Sequence, residues 1–117
     1  MPYLLQPLLS IRVMREDRAR GELTAARQAV ASAEEALAAR RRDLSAYEET
    51  REERRDRIYD AIIGHQVSRD QIDLANEGVA RIDEEGVLKE DNVKRAEGVV
   101  KEKLMRMSSN LSKFPRS

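Results

Sequence analysis

From Leu23 onward the apolar residues fall three and four apart: Leu23, Ala26, Val30, Ala33 and Leu37, then Leu44 and Tyr47, and after a polar gap Ile58 and Ala61. Such spacing keeps one stripe of a helix turned toward a single neighbour, as in a coiled-coil seam. Arg40, Arg51 and Arg54 take seam positions where apolar residues belong, so the stripe weakens along its length, although Arg stems can pack along it. The same spacing resumes at Ile72, Ala75, Val79, Ile82, Gly86, Lys89, Val93, Ala96 and Val100. Beyond Val100 the better apolar series is Leu104, Met107 and Leu111, a change of phase that reads as a stutter.

Local signals separate the two stripes. Gly64 is the residue type preferred just past a helix end, and Ser68-Arg69-Asp70-Gln71 has the form of a capping box that opens a second helix. Two stripes joined by so short a connection fold back on each other. The expected fold is therefore all-α, a long antiparallel two-helix coiled-coil hairpin, a rod. It forms one unit over residues 1–117, with helix 1 at about 3–63, the turn at 64–67 and helix 2 at about 68–112. Glu-Gly-Val recurs at residues 77–79, 85–87 and 97–99 at unequal spacings, so it is not a structural repeat. Each helical glycine costs about 1 kcal/mol relative to Ala. Paired about the turn, Gly86 falls opposite Leu44 and Tyr47, where it either makes room for the Tyr47 ring or is a loosely constrained position.

Composition argues against both a layered globular domain and a disordered chain. With 117 residues, 38% charged, 3% aromatic and no Trp, the chain cannot close a layered globular core. Disorder needs low hydrophobicity with high net charge, whereas 22 basic and 22 acidic residues balance here. The same balance argues against nucleic acid as a partner, and Arg40, Arg41 and Arg42 read as a solvated helix face. No Cys is present, so neither a disulfide nor a thiolate is available, which fits a reducing compartment. A two-helix fold offers no enclosed cavity for catalysis. The one histidine, His65, sits in the expected turn, and Glu34, Glu35, Glu48, Glu49, Glu52 and Glu53 alternate with arginines as an ion-pair face rather than a metal cluster. Glu53 with Arg57 is one such pair. No Gly-rich phosphate loop occurs. The expectation is a non-enzyme with no cofactor and no metal.

The opening residues, MPYLLQPLLSIRVMRED, do not fit that charged pattern. They lack the n-region and cleavage site of a secretory signal, and Gln6, Pro7 and Arg12 interrupt them. They are also too short to cross a bilayer, which takes about 20 apolar residues. A first helix of about 60 residues reaches about 90 Å, and one from Ser68 to Leu111 only about 65 Å, at ~1.5 Å per residue. The second helix runs out near Arg20, leaving residues 1–17 as an uncovered apolar end that invites a protein contact. The alternative is that Leu8, Ile11 and Met14 curl against Met105, Met107 and Phe114.

Several segments have an order and spacing found in a known family: Leu8-Leu9-Ser10-Ile11-Arg12 with Arg15-Glu16, Ala25-Ala26-Arg27, Leu44 with Tyr47, Arg51-Glu52-Glu53 before Arg57-Ile58-Tyr59, and Ile62-Ile63-Gly64 with Val67. Together they resemble the YscO family of type III secretion systems, the counterpart of the flagellar export protein FliJ. The resemblance implies a non-catalytic, cytoplasmic central stalk, peripheral to the inner-membrane secretion apparatus and similar in shape to the rotor subunit of rotary ATPases. The end bearing the termini would enter the hexameric secretion ATPase through Leu4, Leu5, Leu8, Leu9, Ile11, Arg12, Arg15 and Arg18, with Arg20, Glu16, Asp17 and Glu22 as further shaft charges. The bend would meet the membrane export gate through Ile58, Tyr59, Ile62, Ile63 and Val67. Translocator chaperones are further implied partners; nucleic acid and direct membrane insertion are not expected, and the isolated stalk is expected to be a monomer. Two other readings stand beside the stalk: a self-associating coiled-coil spacer, and an export chaperone for a secreted partner.

Overall fold

A computed structural model describes residues 6–112. The architecture is all-α, a helical hairpin of α1 (Gln6–Asp60) and α2 (Arg69–Leu111). Pro7 lies in the first turn of α1, where its missing amide hydrogen costs no helical bond. Neither helix contains another proline. Contacts among the described residues gather into two compact units, residues 6–36 with 97–112 and residues 37–96.

Within the second unit the helices run antiparallel. Tyr47, Arg54 and Ile58 advance along α1 while their partners Gly86, Glu85 and Gly78 step back along α2. Leu37 and Tyr47 are buried from α1, and Ala75, Val79, Ile82, Gly86 and Val93 from α2. Room is made for Tyr47 at Gly86: a Cβ built there would stand 2.5 Å from the phenol oxygen and 2.6 Å from Cε1. The phenol donates a 2.6 Å hydrogen bond to the carbonyl of Ile82, one turn earlier on α2. A ring that is 5% exposed thus has its only polar atom satisfied. Of the arginines on the α1 seam, Arg54 is half-buried and reaches Glu85 at 2.8 Å, whereas Arg40 and Arg51 turn out to solvent.

In the first unit Leu23, Val30 and Ala33 of α1 are buried. From α2, Val100, Lys103, Met107 and Asn110 are half-buried, while Leu104 and Leu111 are exposed. The expected stutter does not occur. The three-four register of α2 continues unshifted, because a seam set by many paired positions is not re-phased by two leucines, and the Lys103 stem can lie along it.

The connection is longer than the four residues expected. α1 stops at Asp60 rather than near residue 63, and residues 61–64 form turns. The amides of Ile62 and Ile63 both bond to the carbonyl of Tyr59, each at 3.0 Å, so the helix tightens as it ends. Gly64 follows in a left-handed conformation, φ +80°. Ala61 and Ile72, expected on the seam, are therefore exposed beside the bend. The capping box forms in full: the amide of Gln71 donates to Ser68 Oγ at 3.2 Å, and the amide of Ser68 donates to Gln71 Oε1 at 2.9 Å.

Candidate partner-binding surfaces

The hairpin buries its seam and little else; among the described residues no polar or charged side chain other than Tyr47 is buried. What it can do is set by what it leaves outside. Three outward features stand out: the start of α1, the bend, and the outer side of α2.

Residues 7–18 are exposed throughout, and Ala19 is the first half-buried position of α1. Leu8 is 64% exposed, Met14 68% and Ile11 47%, so these side chains do not curl onto α2. Met105, one suggested partner, is itself 74% exposed, and Phe114 lies outside the described residues. Leu8, Leu9, Ile11, Arg12 and Arg15 border one open depression. Of the residues implied for the ATPase contact, these five come together, Arg18 is exposed one turn further on, and Leu4 and Leu5 lie outside the described residues. The pattern has chemical content: branched apolar groups beside guanidinium groups can pack on apolar protein surface while pairing with carboxylates at its rim.

At the bend the residues implied for the export gate divide by burial. Tyr59 and Ile63 are exposed, while Ile58, Ile62 and Val67 are half-buried. Ile58 Cδ1 would stand 3.1 Å from a Cβ at Gly78, so Ile58 belongs to the packing between the helices. His65 is exposed in the turn, its amide directed to the carbonyl of Ile62. Ile72 and Leu74, at the start of α2, add exposed apolar surface beyond the residues implied for that contact.

The outer side of α2 also carries Val87 and Leu88 in the open. A count of positions away from the seam reveals them, since neither falls on a three-four stripe. Charged groups elsewhere pair at the surface: Arg57 with Glu53 at 2.6 Å, Arg95 with Asp91 at 3.0 Å and Arg106 with Glu102 at 2.7 Å, all one turn apart. Such exposed pairs contribute only tenths of a kcal/mol each. Among the described residues no group of three or more His, Cys, Asp or Glu is arranged to hold a metal ion, and no helix is long and apolar enough to cross a membrane.

The family model described as "Type III secretion protein YscO" matches residues 5–114, which takes in both helices and the bend. Neither the curated proteins nor the solved structures contain a match.

Proposed function

The chain belongs to the YscO family of type III secretion proteins, and on that premise we propose that it is a non-catalytic stalk of the secretion ATPase. It acts on the cytoplasmic side of the apparatus, with the start of α1 held by the ATPase ring and the bend directed to the export gate. Escort of translocator chaperones belongs to the same reading. The observation that carries it is the start of α1, where Leu8, Leu9 and Ile11 lie exposed beside Arg12 and Arg15, uncovered among the described residues. Exposed apolar groups on a small hairpin are costly unless a partner covers them. A stalk would influence the ring by binding some subunit conformations better than others, which is the only way a bound protein can shift an equilibrium.

The test is binding to the purified ATPase, together with its hydrolysis rate, using the double variant Leu8→Asp, Ile11→Asp. Both residues lie ahead of the first buried seam residue, Leu23, so helicity should be unchanged. Binding and any stimulation of hydrolysis should both be lost. Equal affinity and equal stimulation would remove the stalk reading. A self-associating spacer would use the same apolar segment; equilibrium sedimentation separates the two, because a spacer forms a stable dimer that this double variant dissolves.

A further inference from the structure

The seam of α2 fixes which residues point directly away from α1. With Ala75, Val79, Ile82, Gly86 and Val93 turned inward, the positions opposite the seam are residues 70, 77, 84 and 91. All four are acidic: Asp70, Glu77, Glu84 and Asp91. They recur every seventh residue, about 10 Å apart at ~1.5 Å per residue, in one row along the helix. Asp91 pairs with Arg95, but Asp70, Glu77 and Glu84 make no ion pair or hydrogen bond with any described side chain.

Beside this row are the apolar residues that the hairpin leaves outside. Leu74 is one turn from both Asp70 and Glu77 and is 66% exposed; Val87 and Leu88, each one turn from Glu84, are 68% and 59% exposed. The corresponding outward positions of α1 are different in kind. They are Gln28, Glu35, Arg42, Glu49 and Asp56, flanked over much of their length by small residues such as Ala31, Ser32, Ala38 and Ser45. A solvated coiled-coil face looks like α1, with mixed charge and no large apolar groups. The α2 face differs from it in both respects.

We propose that the outer face of α2 from Asp70 to Leu88 is a docking surface for a basic amphipathic helix of another protein. The match is one of chemistry and period. A third helix laid along α2 would place apolar side chains on Leu74, Val87 and Leu88, and Lys or Arg at sevenfold spacing against Glu77 and Glu84. Arg81, which sits between those two carboxylates and bonds to neither, asks for an acidic or polar residue in the middle of the partner. That single reversed charge would fix the register of docking. The surface is separate from the start of α1 and does not depend on the stalk reading.

The experiment is fluorescence anisotropy of a labelled amphipathic helix of Leu and Lys, titrated with the full chain. Three comparison peptides accompany it: a scramble of the same composition with no apolar face, a Leu and Glu version, and the Leu and Lys peptide with one Glu placed opposite Arg81. The amphipathic basic peptide should bind in a salt-dependent way, the acidic version should not bind, and the scramble should bind about tenfold more weakly or worse. Both Glu77→Lys with Glu84→Lys and Leu74→Gln with Leu88→Gln should lower affinity about tenfold or more with helicity intact. Glu49→Lys with Glu52→Lys on α1 should leave it unchanged, and the Glu opposite Arg81 should tighten it. Equal loss from the α1 pair, or equal binding of the scramble, would reduce the effect to general charge attraction and overturn the proposal. A chain dimer in sedimentation that Glu77→Lys with Glu84→Lys dissolves would also overturn it, by showing that a second copy occupies the face.

Discussion

Gly86 stands where any larger residue would collide with Tyr47, so its effect on stability should run opposite to that of Gly21 and Gly98. A Cβ at Gly86 meets ring atoms at 2.5 to 2.7 Å, and the ring cannot swing away without giving up its bond to the Ile82 carbonyl. Overpacking of this kind costs about 1–3 kcal/mol, more than the ~1 kcal/mol that Ala gains over Gly in a helix. Gly86→Ala should therefore lower the melting temperature. At Gly21 and Gly98 a Cβ meets nothing within 4 Å, so Ala at either position should raise it, by up to about 1 kcal/mol of stability. A double-mutant cycle sharpens the point: in a Tyr47→Ala background, Gly86→Ala should change sign and become stabilising. If Gly86→Ala is stabilising in the native background too, the ring is not the reason for the glycine. Tyr47→Phe keeps the ring and loses only the phenol bond, which should cost about 1 kcal/mol.

At the scale of the elements, the bend separates residues that hold the hairpin from residues that are free to meet a partner. Ser68→Ala removes the cap of α2 and should cost about 1 kcal/mol, and Gly64→Ala strains a φ of +80° at comparable cost. Ile58→Asp should melt the pairing near Gly78, whereas Ile63→Asp, at a side chain 66% exposed, should leave the circular dichroism spectrum unchanged. The reciprocal capping bonds were legible in the sequence because they rest on few residues in fixed relation, whereas the Tyr47 to Gly86 contact was one of two readings the sequence left open and the 2.5 Å approach decides it. The end of α1 was not legible. Asp60 and Ala61 carry no stop signal, and the early exit comes from the tightened bonds to the Tyr59 carbonyl ahead of Gly64. Leu104 and Leu111 misled because composition favoured them over Lys103 and Asn110, yet which position faces inward is decided by the register of the pair as a whole. The row of carboxylates on α2 leaves no mark in the apolar spacing, because it lies opposite the seam.

For the whole molecule, a stalk that engages a ring through one segment and a gate through another should fail in two distinguishable ways. On the stalk reading the variant Leu8→Asp, Ile11→Asp should not enter the ring, so it should lose both ATPase binding and secretion. Produced beside the wild-type chain, it should do no harm, because it leaves every ring free for the functional copy. Ile63→Asp differs. It leaves the start of α1 intact, so on the same reading it should still bind the ATPase while failing to support secretion, and it should compete with the wild-type chain for rings by mass action. Overproduction of Ile63→Asp should then depress secretion in proportion to its excess. Adding Leu8→Asp and Ile11→Asp to the same chain should relieve that inhibition, since a protein that cannot enter the ring cannot block it. Gly86→Ala supplies the control for mere instability: it should lower secretion without becoming inhibitory when overproduced. The reverse pattern, inhibition by the α1 variant and none by Ile63→Asp, would mean that the bend, not the start of α1, is what the ring holds.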